Sequence, residues 1–311
     1  MILHLLVGLA GIGLAALGGR LFVGGAVGIA AASRIPPGVV GATVAAFATS
    51  GPELAVALNA AASGSPALSL GDALGSNVVN VALVLGLALA IAPLRADRRD
   101  LVRDVPLAVA APLVIGLMLI DGRLSRTDGA ILLAIFFSWL AVAVGQALRQ
   151  RDAAVTVLAE HPARRAALDT ALGLVLLATA GRLVVAAGRG LGHELGLDEF
   201  VVGATLVAFG TSTPELATVI VSRAQKHDEV GVGTVLGSNI FNALWIVGLV
   251  ALLRPFEVSG GDVVVGVLAS SIVPLALLPL GASALGRARG VALLAAYTGY
   301  VTLLLAARPE A

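Results

Sequence analysis

The 311-residue sequence contains no cysteine, which excludes a disulfide framework, a thiolate metal site and a cysteine nucleophile. Charge is scarce too: 13% of residues are Asp, Glu, Lys or Arg, against roughly 25% in an ordinary soluble domain. Twenty basic residues stand against nineteen acidic ones, a net charge of +1, so the charge balance points to no nucleic-acid or polyanionic partner. Aromatics make up 4%, and the four histidines, His4, His161, His193 and His227, all fall at the ends of apolar stretches or between them. With no imidazole at depth beside a serine, a glutamate or a second ligand, the usual parts of a hydrolytic or zinc site are missing. No ATP-binding motif is present.

What is abundant is apolar surface and glycine. The chain is 58% hydrophobic with 38 glycines and a mean hydropathy of +1.00, which excludes a soluble enzyme and a disordered chain. Glycine at this level in an apolar chain predicts closely packed membrane helices. A transmembrane helix needs about 20 mostly apolar residues. Ten stretches qualify: 2–32, 36–62, 66–93, 101–120, 128–148, 168–192, 198–222, 230–253, 262–281 and 287–307. The first is expected to be a retained helix rather than a cleavable signal, because it is long and no basic segment precedes it. The fold class expected is an all-α membrane protein of ten transmembrane helices.

With the N-terminus outside, the inner loops hold thirteen basic residues: Arg34, Arg95, Arg98, Arg99, Arg103, Arg149, Arg151, Arg164, Arg165, Arg223, Lys226, Arg287 and Arg289. The outer side holds five, Arg123, Arg126, Arg189, Arg254 and Arg308. This positive-inside bias places both termini outside. Arg20 and Arg182 fall within spans and are expected to snorkel, pair with acids or meet anionic lipid.

An internal repeat organises the whole chain. GATVAAFATSGPEL (41–54) returns as GATLVAFGTSTPEL (203–216) with ten of fourteen positions identical, an offset of 162. The same offset carries GSNVVN (75–80) onto GSNIFN (237–242), Arg20 onto Arg182, Pro93 onto Pro255 and Pro112 onto Pro274. Each half holds five spans, an odd number, so the second copy enters the membrane with opposite orientation. The halves are 1–148 and 168–311, joined by a basic cytosolic linker at 149–167. Inverted repeats of this kind place a transporter's substrate site near the midplane, where interrupted helices of the two copies meet.

Thr-Ser-x-Pro-Glu occurs at Thr49, Ser50, Pro52 and Glu53 and again at Thr211, Ser212, Pro214 and Glu215. Proline removes a backbone donor, so each span is expected to break there and free carbonyls of the preceding turn. The glutamate then sits in the first turn of the second half-helix, where the dipole favours negative charge. A capped helix restart would explain one such copy, but two acids at mid-membrane depth call for a functional role. In Gly-Ser-Asn-x-x-Asn, Ser76 and Asn80 share a helix face, as do Ser238 and Asn242, so both faces line a polar cavity. Asn77 and Asn239 are expected to bridge helices. Hard cations take oxygen ligands of all these kinds, and two glutamates match the charge of one divalent ion. Asp72, which maps onto Thr234, breaks the symmetry. It is expected either on the entry path or at the outer surface facing water.

The paired T-S-x-P-E and G-S-N-x-x-N motifs in a five-plus-five repeat resemble the two alpha-repeats, about 36–93 and 198–255, of the cation/calcium antiporter superfamily, specifically its prokaryotic sodium/calcium exchangers. The resemblance implies that helices 2, 3, 7 and 8 form the ion-binding core, with Glu53 and Glu215 as central calcium ligands helped by the carbonyls of Thr49 and Thr211. It implies sodium sites drawing on Ser50, Ser76, Ser212 and Ser238 and on the carbonyls of Ala46 and Ala208, with spans 1 and 6 sliding across the other eight. It implies residence in a prokaryotic cytoplasmic membrane, calcium and sodium as transported ions, no cofactor and no obligatory protein partner. The family commonly has an acid where this chain has Asn242, so the core is expected to hold two acids rather than three. Further departures are Arg20, where an acidic or small polar residue is usual, and Ala48 and Gly51, opposite Gly210 and Thr213 in the other copy.

The leading expectation is sodium/calcium antiport, with calcium/proton antiport of the same fold as the rival. Magnesium fits less well, since it demands tight octahedral geometry and sheds water reluctantly. A cation channel would use the same oxygens without needing a counter-ion, and a membrane enzyme lacks a placed nucleophile, base or metal cluster.

Overall fold

The structure, a computed structural model, describes residues 1–32, 46–96, 98–149, 163–224, 228–258, 260–278 and 284–306. Eight helices among them are long and apolar enough to cross a membrane: Ile2–Leu21, Pro66–Ile91, Leu101–Asp121, Arg126–Gly145, Arg164–Leu195, Glu199–Ile220, Gly231–Leu253 and Arg287–Ala306. A shorter apolar helix, Gly261–Leu277, stands where the ninth span is expected. The second expected span is described from Ala46 onward, as Ala46–Thr49 and Gly51–Ser63. Its residues 36–45, most of the interhalf linker, and Arg34, Arg151, His161, Lys226, His227 and Arg308 lie outside the described residues. The chain is a helical membrane protein with many apolar spans.

Burial ranks the helices. Of the apolar windows, 83% of Gly231–Leu253 and 78% of Pro66–Ile91 are buried, against 22% of Ile2–Leu21 and of Arg287–Ala306. The helices that carry the G-S-N motifs therefore sit at the centre, and the first and last described helices at the rim. Arg20 and Arg182 are both exposed on their helices, where a long basic side chain lays its stem on apolar surface and keeps its head out.

The two long helices Ile2–Ala32 and Ala163–Leu195 pack together along a glycine seam. A methyl group at Gly11 would meet Val184, one at Gly18 would meet Leu176 and the Gly173 carbonyl, and one at Gly25 would meet Thr170 and the Ala166 carbonyl. As the first helix advances its partner recedes, so the two run antiparallel. Small residues seven apart keep one face flat enough for this approach.

A second close crossing lies at the centre. A Cβ built on Gly71 would come within 2.2 Å of the Phe200 carbonyl oxygen, and one on Gly75 within 2.5 Å of the Ala204 backbone. From the other side, a Cβ on Gly203 would come within 2.3 Å of the Leu68 carbonyl oxygen. Here Pro66–Val78 crosses the segment Glu199–Val207 backbone to backbone.

Three stretches widen into π-helical turns: Val79–Leu85, Gly203–Val207 and Phe241–Ile246. The first and third begin within or directly after the G-S-N motifs, and the second leads into Thr211. Such turns leave the ordinary helical ladder out of step and are frequent at functional sites.

Four two-residue strands tie the loops together. Strand β1 (Leu94–Arg95) pairs antiparallel with β4 (Ala284–Leu285), and β2 (Arg123–Leu124) with β3 (Phe256–Glu257). The offset of 162 carries β1 onto β3 and β2 to within one residue of β4. Other contacts sort the helix ends in the same way. Arg254 Nη1 donates to the carbonyls of Ala61 and Ala62 (2.8 and 3.2 Å), and Arg189 Nη2 to that of Ser63 (2.6 Å). His4 faces Glu194 at 3.4 Å, while Arg223 Nη1 reaches the Ala92 carbonyl at 3.4 Å. One set of ends thus gathers residues near 4, 61–65, 123, 189–199 and 254–257. The other gathers 92–95, 223 and 276–289.

Arg254 and Arg189 supply donors to the last carbonyls of Gly51–Ser63, where a cation also complements the helix dipole. Arg254→Ala is expected to lower the unfolding free energy by about 1–3 kcal/mol, the worth of charge-assisted hydrogen bonds to backbone. Thermal unfolding of the purified variant in detergent checks this.

Candidate functional site

Both prolines break their helices at equivalent places. Lacking N–H groups, Pro52 and Pro214 cannot bond the carbonyls of Ala48 and Gly210, four residues earlier. The chain leaves helical geometry at Ser50 (φ −84°, ψ 10°) and Ser212 (φ −76°, ψ 6°) and restarts at once. Glu53 lies in the first turn of Gly51–Ser63 and Glu215 in that of Thr213–Ala224. This is the break the motif predicts.

The ten candidate ligand and cavity side chains of the motifs are buried. Thr49, Ser50, Glu53, Ser76 and Asn80, and Thr211, Ser212, Glu215, Ser238 and Asn242, are each at most 4% exposed. Ala208 is buried as well, and its carbonyl accepts from the Ser212 N–H at 3.1 Å. Ala46 heads the short helix before the first break.

Each half of the chain completes its site with the other. Thr49 Oγ1 lies 3.2 Å from Ser238 Oγ, which donates to Glu215 Oε1 at 3.0 Å. Ser76 Oγ lies 3.3 Å from Thr211 Oγ1. Asn77 Nδ2 donates to the Asn239 carbonyl (3.1 Å) and Asn239 Nδ2 to the Asn77 carbonyl (3.0 Å), a reciprocal pair across 162 residues. This is the bridging role expected of them. Asn80 Nδ2 adds a bond to Asn239 Oδ1 at 3.1 Å.

Asp72 is neither at the surface nor facing water. It is fully buried, and its Oδ1 accepts from Thr211 Oγ1 at 3.0 Å, with Ser76 Oγ at 3.5 Å. It therefore joins the motif cluster, and the expectation of only two core acids is corrected to three. Sequence spacing contained half of this signal, since Asp72 stands four residues before Ser76 on one helix face. The other half, Thr211, comes from the opposite half of the chain.

The electrostatics are unusual for a membrane interior. A fourth buried acid, Asp104, pairs with Arg103 at 2.7 Å and accepts from Trp139 Nε1 at 3.0 Å. Among the described residues no basic group pairs with Glu53, Asp72 or Glu215. Glu53 lies close enough to Glu215 and Asp72 to feel both charges. Buried oxygens without a hydrogen-bond partner also concentrate here: both of Glu53, Glu215 Oε2, Asp72 Oδ2, and the hydroxyls of Ser50 and Ser212. The side-chain amide of Asn242 is unpartnered at both atoms. Polar atoms left unpaired in a dry interior are costly, and a cation is the group that satisfies carboxylate and hydroxyl oxygens together. Among the described residues no three Asp, Glu or His side chains converge tightly enough to chelate a metal ion by themselves. The donor set is thus mixed, carboxylate with hydroxyl and amide, which suits hard cations.

Comparison with known proteins decides the family. The profile of the sodium/calcium exchanger protein family matches residues 3–145 and 166–306. The chain belongs to the sodium/calcium exchanger family. It is accordingly related to transporters of the cation/calcium antiporter superfamily rather than to enzymes, and the ions its family carries are sodium and calcium. The inner membrane protein YrbG of Escherichia coli (strain K12) is 38% identical over 234 residues, 72% of each chain. The putative antiporter CaxA of Alkalimonas amylolytica is 32% identical over 295 residues, 91% of this chain and 92% of the relative. A solved structure of the sodium-calcium exchanger NCX_Mj, soaked with sodium and strontium, matches with a TM-score of 0.66 at 28% identity. It covers 97% of this chain and 98% of its own. The family resemblance drawn from the motifs agrees with the family profile and with the exchanger structure.

Proposed function

We propose that this family member exchanges sodium for calcium by alternating access at a midplane site built on Glu53 and Glu215. The observation that carries the reading is the burial of both T-S-x-P-E copies against the serines of the opposite halves' G-S-N motifs. Two glutamates offset the charge of one calcium ion, with the carbonyls of Thr49 and Thr211 as neutral ligands. Sodium ions take Ser50, Ser76, Ser212 and Ser238 and the carbonyls of Ala46 and Ala208, while Asn80 and Asn242 line the cavity. The two sets interleave in one buried cluster and the sites overlap, so the two ions compete, which is the requirement for exchange.

The halves 1–148 and 168–311 are proposed as inverted five-helix repeats joined by the linker at 149–167. The antiparallel pairing of Ile2–Ala32 with Ala163–Leu195, equivalent helices of the two halves, supports this. So does the grouping of the loops: every helix end joined above to another is one that ten crossings put on the same side. The positive-inside count then places the ends near 92–95 and 276–289 in the cytoplasm and both termini outside. The two long outer helices slide across the rest, exposing the site to one side at a time.

Calcium flux into liposomes holding the purified chain tests the counter-ion. A sodium gradient is expected to drive calcium, and a pH gradient with sodium absent is not. Flux driven by pH alone would make the carboxylates proton carriers, and flux with neither gradient would indicate a channel. Where three sodium ions exchange for one calcium, the cycle moves charge, worth about 2.3 kcal/mol per elementary charge per 100 mV. A voltage clamped with potassium and valinomycin then changes the rate.

A further inference from the structure

The two halves of the site are not equivalent, and Asp72 is the reason. The offset of 162 that carries Ser238 onto Ser76 and Glu215 onto Glu53 predicts a Ser76–Glu53 bond to match Ser238–Glu215. The structure has instead Ser76 Oγ and Thr211 Oγ1 both turned to Asp72 Oδ1, at 3.5 and 3.0 Å. Glu53 is left with no hydrogen bond to either carboxylate oxygen, whereas Glu215 keeps one from Ser238 at 3.0 Å. The other half has Thr234 at the position equivalent to Asp72, so it has no competing carboxylate there.

Charge counting gives the arrangement a consequence. Glu53 and Glu215 balance one divalent ion, and Asp72 adds a third negative charge with no basic partner among the described residues. An unbalanced carboxylate is costly in a dry interior. A single additional unit charge calls for a monovalent cation. Asp72 offers it an unpartnered oxygen, Oδ2, beside two neutral hydroxyls, a small set of hard oxygen donors.

We propose that Asp72 is a third cation-binding carboxylate, holding a sodium ion with Ser76 and Thr211 and so setting how many sodium ions the site takes. This rests on the reading of Glu53 and Glu215 as the calcium carboxylates. Asp72 supplies from the first half the charge that Asn242 does not supply from the second. The sodium site on the Ser76 side carries its own carboxylate; its counterpart on the Ser238 side shares Glu215.

The test is equilibrium binding of radioactive calcium to the purified full chain in detergent, with sodium titrated as competitor, for the wild type, Asp72→Asn and Asp72→Thr. The threonine variant installs the residue the other half already carries at 234. Size-exclusion profiles establish that the variants are folded, and the two replacements give independent readings should one of them fail to fold. Sodium competition is expected to weaken at least about tenfold, the effect of losing one charged ligand, by a clearly larger factor than calcium binding. Its Hill coefficient should fall, since that coefficient is bounded by the number of linked sites. Calcium and sodium affinities falling in step with an unchanged Hill coefficient would overturn the proposal, because that is how a merely structural or long-range electrostatic role behaves. No change in either variant would overturn it as well. A wild type that binds no calcium, or calcium that sodium does not displace, would overturn the underlying reading and this inference with it.

Discussion

Glu53→Gln and Glu215→Gln are each expected to abolish sodium-driven calcium flux, lowering it by at least about a hundredfold, while the variant proteins remain folded. The size follows from charge. A divalent ion leaving water needs its charge offset inside the membrane, where Coulomb interactions are far less screened than in solvent. Replacing either of the two calcium carboxylates with an amide removes a charged ligand, and loss of a single charge-assisted contact already costs about 1.5–3 kcal/mol. The retained fold follows from the same burial. Glutamine has nearly the shape of glutamate, and Glu53 makes no side-chain hydrogen bond that the change would break. It also lies in reach of two like charges, Glu215 and Asp72. Without added cations the Glu53→Gln protein is therefore expected to unfold no earlier than the wild type. Flux into proteoliposomes and a thermal melt in detergent measure the two arms, and undiminished calcium flux in either variant would remove that glutamate from the site.

Gly71→Ala and Gly203→Ala are expected to cost about 2–3 kcal/mol or more, and Gly71→Leu to give no stable monodisperse protein. A Cβ at Gly71 would lie 2.2 Å from the Phe200 carbonyl oxygen and one at Gly203 2.3 Å from that of Leu68. Neither obstacle is the end of a flexible side chain. Backbone has to move, and forcing extra atoms into a packed interior typically costs 1–3 kcal/mol even where side chains give way. The movement also bears on the site, because Ser76 sits on one crossing segment and Thr211 ends the short helix that directly follows the other, and the two hydroxyls are 3.3 Å apart. Gly299→Ala is the control, since a methyl group there meets nothing within 4 Å and alanine favours helix over glycine. Thermal midpoints in detergent compare the three alanine variants. A Gly71→Ala midpoint equal to that of Gly299→Ala would mean that the crossing is looser than the structure has it.

Much of this protein was legible in one dimension because its determinants are local. A proline breaks a helix through its own missing N–H and ring, so the interruptions at Ser50 and Ser212 follow from Pro52 and Pro214 alone. Twenty apolar residues span a bilayer whatever surrounds them, and a gap-free repeat states that the two halves share one local structure. Ser76 and Asn80 share a face by helical periodicity, as do Ser238 and Asn242, which made them candidates before any packing was known. Asp72 met the same criterion with Ser76, but periodicity alone left open whether its helix turns that face to lipid, water or protein.

What only the tertiary structure decided is which side chains meet across the halves. Thr49 reaches Ser238 across 189 residues and Thr211 reaches Asp72 across 139. Such contacts are set by the angle and depth at which helices cross, here by bare glycine backbone at Gly71, Gly75 and Gly203. The repeat predicted two matching halves, and a single unmatched carboxylate drew the Ser76 and Thr211 hydroxyls to itself. A hydroxyl proton can serve one acceptor at a time, and both of these hydroxyls lie on Asp72 while neither Glu53 oxygen has a hydrogen-bond partner. Symmetry was a property of the sequence; its breaking was settled by hydrogen-bond competition in three dimensions.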